Sequence, residues 1–356
     1  MRAAVLEKPY VLSYKDIPKP VSDDEFMVME VKACGICGSD LRYYKGENPW
    51  ALHTLGKEIP NPPGLVLGHE FSGIIREVAN PKYQNWIGKR AAVLAFKSCG
   101  VCDHCRSGNY HLCRHTVHIG HGAGWGEMKY YPGGMAEFCQ VWNTNVCELP
   151  DSISFEEAAL LDPLSVAVHA IQLSGLEMGD DVLILGTGPI GLCIGQAVRA
   201  FGANQVFCTD VEEYSLKLAR ELGISDVIHM RKESPLHVLR RHGLDKVRII
   251  FDTVGTSDSQ KLALGLLKES GTLVELAVSP IDLEYKLLDI AGERRIISSA
   301  NNRTEDFLAG IQLIERGVVQ AEKMISHIFS LQDIQKGFDL MMEKENASVM
   351  KIVICP

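Results

Sequence analysis

The sequence contains no long hydrophobic run and no excess of basic residues. None of its apolar stretches reaches the roughly 18 residues that a membrane-spanning helix needs, and charge and proline break the apolar run in residues 1–9. The 36 Lys and Arg residues are outnumbered by 45 Asp and Glu residues, and the net charge of -9 is spread along the chain. Nucleic-acid binding needs a basic face, so we expect a cytoplasmic protein with neither a nucleic-acid nor a membrane partner.

Internal repeats and low-complexity linkers are also absent. The composition, with 46% hydrophobic and 23% charged residues, is that of a globular chain and differs from that of disordered proteins. A chain of 356 residues exceeds what one hydrophobic core usually supports. We therefore expect two folded domains.

The pattern of residues changes at about residue 155. Before it, the chain is rich in glycine, proline, histidine and cysteine, with short β-type runs at 26–32 and 90–94, which predicts an irregular, mainly β domain. After it, apolar strand segments alternate with helical segments. The strand segments are 181–185, 205–210, 226–229, 248–252 and 272–276. This alternation predicts an α/β fold with a doubly wound parallel sheet of the Rossmann type.

A glycine-rich motif follows the first of these strand segments and opens a helical segment. Its residues are Gly186, Gly188, Pro189, Ile190 and Gly191. Gly186 would make the tight turn, Gly188 would let the backbone approach a pyrophosphate, and Gly191 would let helix and strand pack closely. The helix N-terminus would then offer free N–H groups to the phosphates. The motif predicts a dinucleotide-binding site.

Asp210 ends the next strand segment, 24 positions after Gly186 (210 minus 186). This is close to the offset of about 20 residues expected for the acid that binds an adenosine ribose. Residues 211–214 contain two carboxylates and no arginine that could bind a 2′-phosphate. NAD is therefore favoured over NADP as the cofactor. The alternative is an ordinary tight turn with a solvent-facing aspartate.

Four cysteines lie within one short loop. They are Cys99, Cys102, Cys105 and Cys113. We expect no secretion signal, and in such a chain eleven cysteines favour thiols and metal sites over disulfides. Four thiolates at this density predict a closed tetrahedral zinc site that stabilises a polar loop. His104, His111 and His115 lie nearby, but a complete set of thiolates makes them unnecessary as ligands.

A second set of possible metal ligands is dispersed along the first domain. Cys37, His69 and Glu70 are each unremarkable alone, because a single cysteine or histidine is usually structural. Together with the cysteine loop, the segment 133–137 and the motif at 186–191, their order and spacing resemble the zinc-containing medium-chain dehydrogenases, and within them the sorbitol and threonine dehydrogenase group. The resemblance covers nearly the whole chain.

The resemblance implies a mainly β, GroES-like catalytic domain at 1–154 and 291–356, and an NAD-binding Rossmann domain at 155–290. It also implies that Cys37, His69 and Glu70 surround a catalytic zinc, which makes two zinc ions per chain. Asp162 occupies the position that many sorbitol-like members fill with glutamate. It could bind the zinc, hold a zinc-bound water or swing out of reach, and we expect one of the first two.

Two further residues have expected roles beside this zinc. Ser39 could accept the proton of the substrate hydroxyl and pass it to solvent, or it could be a simple turn residue. Asp40 is expected to orient His69, because metal-binding imidazoles commonly need such a partner. An open zinc position would polarise the hydroxyl of an alcohol, and hydride would pass to the nicotinamide.

The expected function is oxidation of a polyol, cyclitol or sugar-derived secondary alcohol by a homodimeric or homotetrameric enzyme. Four polar aromatic residues near Cys37 fit a hydroxylated substrate or are loop packing. They are Tyr43, Tyr44, Trp50 and His53. The segment 298–303 departs from the sorbitol pattern, and the loop 118–132 is unexpectedly long. The alternatives are a threonine-type amino-alcohol dehydrogenase and a non-catalytic NAD-binding protein.

Overall fold

The computed structural model describes residues 1–277, 281–282, 285–343 and 348–356. The chain separates into two units. The first consists of Met1–Asp162, Arg303–Ile311 and Ile325–Pro356, and the second of Pro163–Asn302 and Gln312–Met324. Within the described ranges, no helix is long and apolar enough to cross a membrane.

The strands and helices are numbered in chain order. The first ten strands are β1 (Arg2–Lys8), β2 (Val11–Asp16), β3 (Phe26–Gly35), β4 (Leu65–Val66), β5 (Glu70–Val78), β6 (Arg90–Val93), β7 (Phe96–Lys97), β8 (Val117–His118), β9 (Phe138–Trp142) and β10 (Val146–Glu148). The others are β11 (Val182–Leu185), β12 (Val206–Asp210), β13 (Asp226–His229), β14 (Val247–Asp252), β15 (Leu267–Glu275), β16 (Arg295–Ser298), β17 (Ile325–Ser330) and β18 (Lys351–Cys355). The helices are α1 (Gly38–Tyr44), α2 (Asp103–Arg106), α3 (Phe155–Ala158), α4 (Leu161–Leu173), α5 (Pro189–Ala197), α6 (Glu213–Glu221), α7 (Pro235–Arg241), α8 (Ser257–Leu266), α9 (Thr304–Glu315), α10 (Ala321–Met324) and α11 (Ile334–Met342).

The first unit is built on a seven-stranded sheet. The order of its strands is β10-β6-β5-β3-β18-β17, and β9 also pairs with β3. The last strand, β18, runs antiparallel to β3, with Val353 opposite Gly35 and Ile354 opposite Cys34. The C-terminal strand therefore returns to the sheet that the N-terminal part of the chain forms. A smaller three-stranded sheet, β2-β1-β4, belongs to the same unit.

The second unit contains the predicted parallel sheet. Its order, β13-β12-β11-β14-β15-β16, is that of a doubly wound Rossmann sheet, and the order reverses between β11 and β14. All four residues of β11 are buried, because helices cover both faces of a parallel sheet. Each strand segment predicted for this sheet overlaps one of its strands, and the parallel sheet confirms the predicted fold class.

β16, the last strand of the six-stranded parallel sheet, shows where the second unit extends beyond the predicted Rossmann domain. Arg295 of β16 pairs in parallel with Thr272 of β15, so β16 continues the sheet of the second unit. The sequence pattern and the family resemblance predicted domain changes at residues 154 and 290. The compact units change after residues 162 and 302, near the start of α4 at Leu161 and the end of the sheet at Ser298. They change again after residues 311 and 324, because Gln312–Met324 belong to the second unit.

Candidate functional site

The four thiols of the cysteine loop converge. Their Sγ atoms all lie within 4.8 Å of one another. The distance is 3.5 Å between Cys102 and Cys105, 3.8 Å between Cys102 and Cys113, and 3.9 Å between Cys99 and Cys105. Zinc–sulfur bonds of about 2.3 Å in a tetrahedron place the sulfurs about 3.8 Å apart. The loop thus has the geometry of a tetrahedral zinc site.

Backbone N–H groups point at these sulfurs. Cys113 Sγ accepts hydrogen bonds from the N–H groups of Cys99, at 3.4 Å, and of His115, at 3.3 Å. The backbone N–H groups of Val101 and Cys102 lower the pKa of the Cys99 thiol. Such donors stabilise a thiolate, which is the form that binds a metal. At Cys113 burial outweighs its two donors and raises the pKa of the thiol.

Hydrogen bonds join the cysteine loop to Arg303 and Thr304 at the start of α9. Arg303 Nε donates to His111 Nδ1 at 3.3 Å, and Arg303 Nη2 donates to Asn109 Oδ1 at 3.3 Å. The backbone N–H of Thr304 donates to the hydroxyl of Tyr110 at 2.8 Å. The Nδ1 atom of His111 thus accepts a hydrogen bond from Arg303. Among the described residues, the metal-ligand cluster at this loop consists of cysteines alone.

A second cluster joins Cys37, His69 and Glu70, whose ligand atoms lie within 4.8 Å of one another. Cys37 precedes the first residue of α1, and His69 and Glu70 stand at the start of β5. Glu70 pairs with Gly35 in the ladder between β5 and β3, and a Cβ atom at Gly35 would collide with the Glu70 carboxylate. The strand pairing therefore brings together ligands that are more than thirty residues apart in sequence.

Asp40 connects the two segments that carry this cluster. Its Oδ2 accepts the backbone N–H of Cys37 at 2.9 Å, and its Oδ1 accepts that of Gly68 at 3.2 Å. Oδ1 also lies 3.6 Å from His69 Nδ1, and the Asp40 side chain is fully buried. The structure therefore places Asp40 beside His69, but beyond ordinary hydrogen-bond distance.

Glu70 has a buried cationic partner that the sequence analysis missed. Lys351 Nζ lies 2.6 Å from Glu70 Oε2, and only 3% and 1% of the two side chains are exposed. Lys351 Nζ also donates to the carbonyl oxygen of Ile36 at 3.3 Å. The signal for this contact is a single lysine in an otherwise apolar strand segment at 350–354.

Two histidines from the loop 118–132 also reach this cluster, and they too were missed. His121 Nε2 lies 3.0 Å from His69 Nδ1. The rings of His118 and His121 stack at 4.3 Å, and His118 lies edge-on to His69 at 6.3 Å. In the sequence, only the unexpected length of this loop indicated that its residues could reach the cluster.

The two remaining predicted residues differ in their surroundings. The hydroxyl oxygen of Ser39 is buried, and the described part of the chain gives it no hydrogen-bond partner. Asp162 lies in the first turn of α4 and is partly exposed. Among the described residues, the cluster of ligand atoms around Cys37 does not include Asp162.

Two of the aromatic residues considered for the substrate belong to the core. Tyr43 and Tyr44 are buried. The Tyr43 hydroxyl accepts the N–H of Trp50 at 3.2 Å, and the Tyr44 hydroxyl donates to the carbonyl oxygen of Tyr10 at 3.0 Å. Trp50 Nε1 in turn donates to Thr116 Oγ1 at 3.1 Å. These contacts support loop packing for Tyr43, Tyr44 and Trp50.

The glycine motif adopts the expected turn between β11 and α5. Gly186 has a φ of 92°, a backbone conformation that residues other than glycine rarely adopt. A Cβ atom at Gly191 would collide with the carbonyl oxygen of Gly186, whereas one at Gly188 would meet nothing within 4 Å. Gly191 therefore allows close packing, and Gly188 leaves open space at the helix N-terminus. Pro189 and Ile190 form the start of α5.

Asp210 lies at the end of β12 beside this turn. Its Oδ2 accepts the backbone N–H and the hydroxyl of Thr187, each at 2.8 Å. Its Oδ1 accepts the backbone N–H groups of Val211, at 2.7 Å, and Glu212, at 3.0 Å. A rotation of the Thr187 hydroxyl would leave acceptor capacity for a ribose hydroxyl.

A cationic side chain that the sequence analysis did not consider also lies in this region. Lys232 Nζ lies 2.8 Å from Glu213 Oε2. Glu213 is also within 4.0 Å of Arg220 and 3.7 Å from His229. The charge of Lys232 is therefore compensated by a carboxylate from the acidic run that follows Asp210.

Comparisons with known proteins agree with this geometry. Residues 23–151 match the alcohol dehydrogenase GroES-like domain, and residues 189–316 match the zinc-binding dehydrogenase family. The L-threonine 3-dehydrogenase of Escherichia coli (strain K12) is 30% identical over 338 residues, which cover 94% of each chain. The sorbitol dehydrogenase of Bacillus subtilis (strain 168) is 28% identical and covers 100% of this chain and 97% of its own. A solved zinc-binding dehydrogenase from Sinorhizobium meliloti 1021, bound to NADP, is 27% identical with a TM-score of 0.86, and the match covers 100% of this chain and 99% of that chain.

Proposed function

Because the chain belongs to the zinc-containing medium-chain alcohol dehydrogenases, we propose that it oxidises a polyol, cyclitol or sugar-derived secondary alcohol with NAD. The observation that carries the proposal is the cluster of partly buried Cys37 with buried His69 and Glu70, near the hydroxyl of Ser39, which has no partner among the described residues. A thiolate, an imidazole and a carboxylate are three ligands of the kind that catalytic zinc sites use, and such sites leave a position open for substrate.

Two zinc sites per chain fit the residues present. The four thiols of the cysteine loop would hold a structural zinc, because their sulfur–sulfur distances match a closed tetrahedron. Cys37, His69 and Glu70 would hold a catalytic zinc. When bound, zinc supplies a Lewis acid for the substrate hydroxyl and NAD supplies the hydride acceptor.

The chain's own residues would orient the metal ligands and carry the proton of the substrate hydroxyl. Ser39 would take the hydroxyl proton of the substrate while passing its own to water, for which its unpartnered oxygen is suited. Asp40 would hold Cys37 and the segment before His69 through its two backbone hydrogen bonds. The first unit would thus be the catalytic domain, and the second unit would bind NAD at the glycine motif.

We propose NAD rather than NADP because of Asp210 and the acidic residues after it. A related structure binds NADP, so this choice depends on the residues of this chain. A carboxylate beside a 2′-phosphate would repel it, whereas it would accept a hydrogen bond from the 2′-hydroxyl of NAD. Lys232 pairs with Glu213 at 2.8 Å, so a 2′-phosphate would have to compete with that carboxylate for the lysine.

The expected kcat/KM is at least about tenfold higher with NAD than with NADP, which corresponds to about 1.4 kcal/mol. Replacing Asp210 with serine should narrow this ratio, because it removes the repulsion and keeps a small hydrogen-bonding side chain. Steady-state kinetics with both cofactors measures the ratio. Equal efficiency of the wild-type protein with NAD and NADP would refute the cofactor assignment.

Asp162 is proposed as a ligand of the catalytic zinc or of a water bound to it. Its place in the first turn of α4 also fits a residue that stabilises the helix N-terminus. Asp162→Asn distinguishes the two roles, because asparagine caps a helix about as well but has no charge. We expect this variant to lose turnover about 10- to 100-fold, as metal-site partners commonly do, and to retain NAD binding.

Asp162→Glu is the matched comparison for this prediction. It keeps the negative charge and alters only the reach of the carboxylate, so its loss of turnover should be smaller than that of Asp162→Asn. Steady-state kcat, cofactor titration and zinc content are measured on both variants. Turnover of Asp162→Asn close to that of the wild type would remove Asp162 from the site and leave the helix role.

The substrate class is tested by a screen that follows NADH absorbance. The two relatives act on sorbitol and on L-threonine, so the panel should pair polyols and cyclitols with amino alcohols. We expect turnover of secondary alcohols in polyols. Turnover of L-threonine alone would favour the amino-alcohol alternative, and no turnover with any alcohol would favour a non-catalytic NAD-binding protein.

We also propose a cytoplasmic homodimer or homotetramer. In the second unit, β16 is an edge strand of the sheet. Leu287 and Leu288, shortly before it, are 82% and 79% exposed. An exposed edge with apolar residues nearby favours association with a second copy. Light scattering of the purified protein would measure the number of subunits.

A further inference from the structure

The loop 118–132 packs closely against the segment that contains Gly68 and His69. The N–H of Gly120 donates to the carbonyl oxygen of Pro132 at 2.7 Å, and the N–H of His118 donates to that of Ala123 at 2.8 Å. Gly120 has a φ of 84°, and a Cβ atom there would collide with the carbonyl oxygen of Gly68. The glycine thus permits an approach that brings the next residue, His121, to His69.

The ring of His121 is held in a stack of four rings. Tyr43 stacks on this ring at 4.9 Å with an angle of 26°, and His118 stacks on it at 4.3 Å with an angle of 22°. Phe96 stacks on His118 at 5.7 Å and completes the column. These stacked neighbours restrict rotation of the His121 ring, whose Nε2 atom lies 3.0 Å from His69 Nδ1.

A histidine that binds zinc through one ring nitrogen has a proton on its other ring nitrogen. This N–H needs an acceptor. His69 Nδ1 has two neighbours that could accept. His121 Nε2 is at 3.0 Å, within hydrogen-bond distance, and Asp40 Oδ1 is at 3.6 Å, beyond it. Both oxygens of Asp40 already accept backbone N–H groups. The distances therefore favour the histidine over the carboxylate.

We propose that His121 is the positioning residue that accepts the Nδ1–H of His69 and so orients this ligand of the catalytic zinc. The inference rests on the proposed zinc site. It fixes the tautomer of His121, because a neutral imidazole that accepts at Nε2 has its proton on Nδ1. His121 Nδ1 is buried and has no hydrogen-bond partner in the described part of the chain, so no contact there opposes a proton on this nitrogen.

The test replaces His121 with phenylalanine, which keeps a ring in the stack and removes the acceptor. We expect the affinity for the second zinc, measured by chelator competition, to fall about 10- to 100-fold, as loss of such a partner commonly does. The visible absorption of the cobalt-substituted protein should shift, because the orientation of one ligand changes. His121→Gln, which retains an acceptor oxygen, should restore part of the affinity.

The matched control is His118→Phe, which changes the same stack without touching His69 Nδ1. It should change zinc affinity and the cobalt spectrum much less than His121→Phe does, because His69 Nδ1 keeps its acceptor. A wild-type protein with a single zinc per chain would refute the proposed function itself. If the wild type holds two zinc ions and His121→Phe keeps both with unchanged affinity and spectrum, the role of His121 is refuted and the proposed function stands.

Discussion

Replacing Cys37 with alanine is expected to lower kcat about a thousandfold, because a catalytic metal contributes several kcal/mol to stabilising the transition state and about 4 kcal/mol is a thousandfold. Cys37 precedes α1 and is only partly buried, so its truncation opens no core cavity. The protein should therefore stay folded. Zinc content by elemental analysis should fall from two ions per chain to one.

Cys102→Ala is the matched comparison, because it removes one thiol from the other cluster. We expect it to lower the thermal midpoint, since a structural zinc contributes its binding free energy to folding. The protein that remains folded at low temperature should retain measurable turnover. Normal turnover of Cys37→Ala, or loss of stability in that variant as large as in Cys102→Ala, would contradict the division into a catalytic and a structural site.

The parts of the site that follow from local sequence were predictable. The turn at 186–191 depends on Gly186 and Gly191, where a Cβ atom would collide with neighbouring atoms, and Asp210 follows at a fixed offset. The four cysteines lie within fifteen positions, so a loop alone can bring them together. In each case the chemistry is determined by residues close in sequence, and the pattern predicts the geometry without knowledge of the fold.

The parts that depend on long-range pairing were not predictable from the pattern. Cys37 and Glu70 meet because β3 and β5 pair, and only the family resemblance joined them beforehand. His121 and His69 are 52 positions apart, and Lys351 and Glu70 are 281 positions apart. No local periodicity encodes such contacts. A lysine inside an apolar strand was a usable signal, because a buried charge requires a partner.

Lys351→Met is expected to destabilise the protein by about 3–5 kcal/mol, the usual cost of leaving one charge of a buried ion pair without its partner. Glu70 is 1% exposed, so water cannot replace the lysine. Urea denaturation of the full chain measures the change. Lys217→Met is the control, because Lys217 and Glu221 are 73% and 53% exposed and such surface pairs contribute about 0–1 kcal/mol.

The variant Lys351→Met, Glu70→Gln separates the buried charge from the packing of the lysine. Glutamine keeps the size of Glu70 without its charge, so the double variant should recover a large part of the lost stability. The comparison is repeated in the Cys37→Ala protein, where a metal beside Glu70 cannot supply the missing positive charge. If the double variant is as unstable as Lys351→Met in both backgrounds, the loss comes from packing, and the ion pair does not stabilise this end of β18.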